Sequence, residues 1–170
     1  MNRTLFAYIA LGSNLGNSRE ILLQAMSRLQ EFSDEPIVRS SLWQTTPVDC
    51  PPGSPLFVNA MIGLVPRATE TPESLLPKLQ RIEKQLGRQE KKVLNEPRPL
   101  DLDLIAFGTE RRSTAALVLP HPRAHQRKFV LQPLSEVAPD LILPGQSESV
   151  STLLEGLKSD ETIAPIVSRD

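Results

Sequence analysis

A chain of 170 residues is long enough to bury a substantial core within one domain, here residues 1–170. Its 19 basic and 20 acidic side chains leave a net charge of −1 and a pI near 6.2, which argues against nucleic-acid binding through a basic face. The lone Cys50 excludes an intrachain disulfide, and with only His121 and His125 there is no Cys/His cluster for zinc.

No apolar run approaches the roughly 20 residues needed to span a bilayer. The first strand follows Met1-Asn2-Arg3 directly, without a signal-peptide pattern. These features predict a cytoplasmic protein with neither a nucleic-acid nor a membrane partner. Sixteen prolines against eight glycines predict loops whose shape is pre-set.

Thr4 to Leu11 is a nearly continuous apolar run, read as a buried strand, and residues 12–17 as a tight connection first and a ligand contact only secondarily. Neither phosphate-binding glycine pattern, G-x-x-x-x-G-K-[ST] or G-x-G-x-x-G, is present there. Asn17 with Glu20 resembles a capping box, and Ile21, Leu22, Ala25, Met26, Leu29 and Phe32 form a helical stripe. Residues 36–46 read as a second strand. Residues 47–55 (PVDCPPGSP) read as a restricted loop, and residues 56–65 as a third strand. Asn59 is the polar exception in that third strand, and a buried amide needs a partner, either backbone or ligand.

Thr71-Pro72-Glu73 is a helix start, with Leu75, Leu76, Leu79, Ile82 and Leu86 as its inner face and Pro77 within it. Gly87 ends the helix, and residues 88–96 read as a charged mobile loop. The next stretch, PRPLDLDLIAFG at 97–108, alternates as a strand does. Leu100, Leu102, Leu104 and Ala106 then share one face, and Asp101, Asp103, Ile105 and Phe107 the other. Two carboxylates on one face lie roughly 7 Å apart along a strand, a span suited to a pair of hard divalent cations. The competing reading is a solvated edge paired with Arg or Lys. The apolar flanks and the fixed cation Arg98 between two prolines favour metal. Leu117 to Leu119 reads as a short strand and residues 120–129 gather both histidines with three cations. Val130, Leu131, Leu134 and Val137 read as a helix ending near Pro139, 140–143 as a short edge strand and 150–157 as a short helix. The last dozen residues carry little signal.

Several motifs occur in a fixed order: AYIALGSNLGN at 7–17, T-x-P-V at 45–48, FVNA at 57–60, GR at 87–88, PRPLDLDL at 97–104 and LPHPRAHQRKFVLQPL at 119–134. Together they resemble the hydroxymethyl-dihydropterin pyrophosphokinase family. The resemblance implies a ferredoxin-like α+β sandwich, mainly antiparallel, with a core at about 4–145 and an extension to about 160. It implies a monomeric enzyme acting on two small molecules, ATP and the pterin, with a pair of Mg²⁺ ions. Carried over residue by residue, Asp101 and Asp103 hold the metals, and Arg98 and Arg127 join them as catalytic residues. Gln80, Arg88, Arg98, His121 and Arg127 bind ATP. Phe57 and Phe129 sandwich the pterin ring, Asn59 reads its edge, and backbone around Thr45 and Val48 completes the pocket. This chain departs from the family pattern with Asn95-Glu96 in place of Trp-Gly and Glu90 in place of an arginine; Lys91 or Lys92 is expected to supply the missing charge. Two alternatives stay open, a catalytically degenerate ferredoxin-like nucleotide-binding module and a D-x-D nucleotide-sugar transferase.

Overall fold

The computed structural model describes residues 4–89 and 93–166. Strand β1 (Ala7–Ser13) is followed by helix α1 (Ser18–Gln30), strands β2 (Val38–Arg39), β3 (Trp43–Thr45) and β4 (Phe57–Leu64), and helix α2 (Pro72–Gln85). Strands β5 (Asp101–Phe107), β6 (Arg112–Ser113) and β7 (Val118–Leu119) come next. A 3-10 turn (Ala124–Gln126), helices α3 (Lys128–Val137) and α4 (Val150–Gly156), and strand β8 (Ile163–Pro165) complete the order. The main sheet runs β5-β1-β4-β3-β8, with β2 also on β4, and every pairing in it is antiparallel. The placement of β1, β3, β4 and β5 around α1 and α2 is the ferredoxin-like βαββαβ order.

Period-two alternation assigns the two faces of this sheet. Ala7, Ile9 and Leu11 of β1 and Ala60, Ile62 and Leu64 of β4 pack with Leu22, Ala25, Met26 and Leu29 of α1 and Leu75, Leu79 and Ile82 of α2. Tyr8, Met61, Ile105 and Ala106 pack on the opposite face with Val130, Leu131 and Leu134 of α3 and Val150 of α4. Leu79 is fully buried. Truncation to alanine is expected to cost about 2–5 kcal/mol, read as a lower urea midpoint.

Local sequence explains most boundaries. Asn17 caps α1, accepting from the Glu20 amide at 3.4 Å, while the Glu20 carboxylate accepts from Gln24, so only half of the expected box forms. At α2 the reciprocal box is Thr71 with Ser74. Three expectations are corrected. The tight connection begins later than residue 12, because Gly12 and Ser13 belong to β1. The second strand is two short ones, broken where the Ser40 hydroxyl takes the Met61 amide proton at 2.8 Å in place of a backbone carbonyl. Residues 140–143 form no strand; the Leu141 carbonyl accepts from Val150 at the start of α4.

Strand β5 holds a further correction. The register with β1 shifts between Tyr8 and Ile9, so that Ile105 is passed over and the strand bulges. Alternation holds through Leu100, Leu102 and Leu104 and then flips. Phe107 joins the α1/α2 core, while Ala106 joins the α3/α4 core beside Ile105. Strand β8, which pairs with β3, is the element that the last residues concealed. No described helix is long and apolar enough to cross a membrane.

Candidate active site

The same alternation that builds the α3/α4 core continues past the end of α3, where the sheet face is left uncovered. On β1 that face carries Ala10 and Gly12 after Tyr8; on β4 it carries Phe57 and Asn59 before Met61; on β5 it carries Asp101 and Asp103 before Ile105. Register then places them in rows. Gly12 pairs with both Asn59 and Asp101, and Ala10 with both Met61 and Asp103. Asn59 and Asp101 therefore stand two strand spacings apart, roughly 10 Å, with glycine between them. A Cβ on Gly12 would lie 2.8 Å from the Asn59 Oδ1 and 3.6 Å from the Phe57 ring, so only glycine leaves this floor open.

A cavity of about 480 Å³, counting its open mouth, rises from that floor. Thr45, Val48, Phe57, Asn59 and Phe129 line it together with Arg98, Asp101, Asp103 and Arg127. The structure thus brings together all five residues expected at the pterin ring and all four expected at the chemistry. Gln80 and Arg88 line a neighbouring cavity with Glu83, Lys84 and Gln89. An ion pair links a lining residue of each cavity, the Asp101 Oδ1 receiving Arg88 at 2.8 Å. His121 lines neither of them.

Several polar groups in the site are held by identifiable partners. Asn59 is 7% exposed, and its amide donates to the Thr45 hydroxyl, leaving its oxygen over Gly12. Asn14 clamps Arg98 through two bonds, its Oδ1 accepting the Arg98 amide at 2.9 Å and its own amide reaching the Arg98 carbonyl at 3.1 Å. The Arg98 guanidinium lies 5.3 Å from the Phe57 ring centre and 3.6 Å from Asp101, and its Nε is buried without a partner among the described residues. Arg127 lies 5.4 Å from the Phe129 ring centre. Each aromatic wall thus carries a cation over its ring. His121 is held through its backbone amide, which donates to the Ile105 carbonyl at 2.9 Å. Burial first, then Arg127, lowers its pKa; its Nδ1 accepts the Arg123 amide at 3.3 Å, so the neutral ring carries its proton on Nε2.

Glu83 was hidden in the sequence as one more charge on a helix, yet it is only 9% exposed. Its Oε2 accepts from the Leu102 amide at 2.9 Å and from Arg88 at 2.7 Å, anchoring the start of β5 to α2. Its position beside Leu79 and Ile82 on the apolar stripe was the available signal. Ala10, Leu11, Gly12, Thr46 and Cys50 also line the cavity and Asn14 holds Arg98, and none of them was among the candidate site residues.

The two aspartates differ sharply. Asp101 is held by Arg88 and Arg98. Asp103 has no hydrogen-bond or ion-pair partner among the described residues; burial, then the charges of Asp101 and Glu83, push it up to about 7. A carboxylate so poorly compensated, two residues away from a second on the same face, fits a hard divalent cation. No group of three or more His, Cys, Asp or Glu side chains gathers around one point among the described residues, so further oxygen ligands would come from phosphate and water. Residues 90–92, with Glu90, Lys91 and Lys92, lie outside the described residues; Asn95, at φ +55°, donates to the Asp49 carbonyl at 2.6 Å and ties the two rim loops together.

Comparison with known proteins points to one family. The 7,8-dihydro-6-hydroxymethylpterin-pyrophosphokinase (HPPK) family profile matches residues 8–139. The 2-amino-4-hydroxy-6-hydroxymethyldihydropteridine pyrophosphokinase of Haemophilus influenzae is 39% identical over 151 residues, covering 88% of this chain and 91% of that protein. Its Bacillus subtilis counterpart is 35% identical, covering 89% and 88%. The folic acid synthesis protein fol1 of Pneumocystis carinii is 35% identical over 94% of this chain, which spans only 21% of that longer protein. A crystal structure of HPPK-DHPS in complex with substrates shares the fold, with a TM-score of 0.67 at 13% identity, over 90% of this chain and 43% of that one. The chain belongs to the 7,8-dihydro-6-hydroxymethylpterin-pyrophosphokinase family.

Proposed function

We propose that this protein is a monomeric cytoplasmic enzyme that transfers pyrophosphate from ATP to the hydroxymethyl group of 6-hydroxymethyl-7,8-dihydropterin, releasing AMP. The observation that carries the assignment is the row Asn59–Gly12–Asp101 across three adjacent strands, an amide and a carboxylate separated by an open floor between Phe57 and Phe129. The pterin ring would stack between Phe57 and Phe129, which line the same cavity, with its polar edge facing the Asn59 oxygen and the backbone around Thr45 and Val48. Its hydroxymethyl group then points toward the aspartates.

Asp101 and Asp103 would hold a pair of Mg²⁺ ions, which when bound neutralise phosphate oxygens and align attacking and leaving groups. Arg88 and Arg98, whose guanidiniums rest on Asp101, would contact phosphate, joined by Arg127 and by the Nε2 proton of His121. Gln80 and Arg88 place the nucleoside side in the neighbouring cavity. The contribution of these residues is positioning and pre-organised charge. A degenerate binding module would have no use for Asp103, whose charge costs stability in an unliganded fold.

Incubation with ATP, Mg²⁺ and the hydroxymethyl pterin tests the assignment. Pterin-dependent AMP is expected, whereas pterin-dependent ADP would mean a different transfer. No turnover by folded protein would favour the binding module. Replacing both Lys91 and Lys92 by alanine is expected to weaken ATP binding several-fold in an equilibrium titration. Unchanged affinity would remove them from the nucleotide site.

A further inference from the structure

The family match ends at residue 139, yet Glu161 and Thr162 beyond it bond to segments that line the cavity. We infer that Glu161 is a positioning residue for the pterin site, joining the Arg127–Phe129 wall to the Thr45–Thr46 wall. Helix α3 begins at Lys128 with Arg127 as its N-cap, and Arg127 makes no side-chain cap bond. An arginine cannot cap, because the N-cap position needs an acceptor. The guanidinium is instead placed beside Phe129 in the cavity wall. Glu161 supplies the missing acceptor from elsewhere in the chain, its Oε2 taking the Lys128 amide at 2.9 Å. A carboxylate there also complements the positive end of the helix.

The same short segment grips the opposite wall. The Thr46 amide donates to the Thr162 carbonyl at 3.1 Å, and the Thr162 amide donates to the Thr46 hydroxyl at 3.2 Å. Strand β8 then pairs with β3, with Thr45 opposite Ile163. Thr45, Thr46, Arg127 and Phe129 all line the one cavity, so the two consecutive residues Glu161 and Thr162 hold both of its sides. Glu161 is itself fixed, its Oε2 receiving the Ser159 hydroxyl at 2.7 Å and its amide donating back to that hydroxyl at 3.1 Å. Its other oxygen, Oε1, is buried with no partner among the described residues. A half-satisfied carboxylate is a poor device for stability alone. Its geometry serves placement of the α3 start, and hence of Arg127 and Phe129, against β3.

This inference rests on the cavity being the pterin site, and one set of measurements separates the two. Wild-type enzyme, Glu161→Ala and Glu161→Gln are compared in the full chain, with glutamine retaining an acceptor for Lys128. The alanine variant is expected to raise the pterin KM about five- to tenfold, the size of one lost cap, with the ATP KM within about twofold. Glutamine is expected to restore the wild-type value. Amide hydrogen exchange should quicken at 127–131 and 45–48 in the alanine variant alone. Equal rises in both KM values, or an unchanged pterin KM with quickened exchange, would reduce Glu161 to a structural brace and overturn the inference. Unchanged exchange would remove the contact itself. Wild-type enzyme that shows no pterin-dependent turnover would instead overturn the functional assignment, and the exchange comparison would still judge the strap.

Discussion

Asp103→Asn is expected to abolish pyrophosphoryl transfer, by a factor of about a thousand or more, while making the ligand-free protein more stable at pH 8. The first effect follows from loss of an anionic oxygen ligand at a site that works by charge and alignment. The second follows from linkage. Asp103 has an ordinary value of 3.8 and is pushed to about 7 in the fold, first by burial and then by Asp101 and Glu83. The folded state therefore binds a proton that the unfolded state has released between those values. Stability from this group is fully present below about pH 4, falls as the pH rises through the interval, and is lost above about 7. Glu83, raised by its own burial, slopes in the same direction. Urea midpoints of the parent should thus fall from pH 5 to pH 8, and the asparagine variant should show a shallower slope and a higher midpoint at pH 8. Mg²⁺ with a non-hydrolysable ATP analogue should raise the parent's midpoint and leave the variant's nearly unchanged. A variant that is less stable than its parent at pH 8 would mean that Asp103 is already compensated.

Gly12→Ala is expected to weaken pterin binding by roughly ten- to a hundredfold, with ATP affinity little changed. The added Cβ would meet the Asn59 Oδ1 at 2.8 Å. Asn59 cannot retreat freely, because it is buried and its Nδ2 is bonded to Thr45 on the next strand. Either the amide rotates away from the substrate edge or β1 separates from β4, and overpacking of this kind costs about 1–3 kcal/mol. Titration calorimetry with the pterin separates this from general damage, provided that the denaturation midpoint is followed in parallel. A variant that binds pterin normally would show that the amide does not read the ring from its observed position. The same clash explains why a glycine interrupts an otherwise apolar central strand, where a backbone preference for glycine has no part.

Much of this protein was legible before any coordinates. The helical stripe of α1, the Thr71 start of α2 and the alternation of Leu100, Leu102 and Leu104 are local signals, each set by residues within one or two turns of themselves. The ordered motifs likewise identified Phe57, Asn59, Asp101, Asp103 and Phe129, and the fold gathers them in one cavity. What local pattern could not show were matters of register and return. The bulge at Ile105 depends on how β5 pairs with β1, and it sends Phe107 and Ala106 to faces opposite to those that simple alternation assigns. The break at Ser40 depends on a hydroxyl meeting an amide on another strand. Glu83 looked like any solvated helix charge until α2 was laid against the start of β5.

By itself, the sequence determined which residue types share a face along each regular stretch of strand or helix, because side-chain direction there follows from the 2.0 and 3.6 periods, and it failed only past the β5 bulge. It also determined the chemistry available, with two carboxylates, fixed cations and two aromatic rings at motif spacing. Only the tertiary structure decided that Gly12 is the floor between Asn59 and Asp101, that Asp103 is left uncompensated while Asp101 is paired, and that β8 closes back on β3. Those outcomes depend on distances between segments far apart in the chain. Burial and pairing energies, which set a carboxylate's pKa and a strand's partner, are properties of neighbours that only folding supplies.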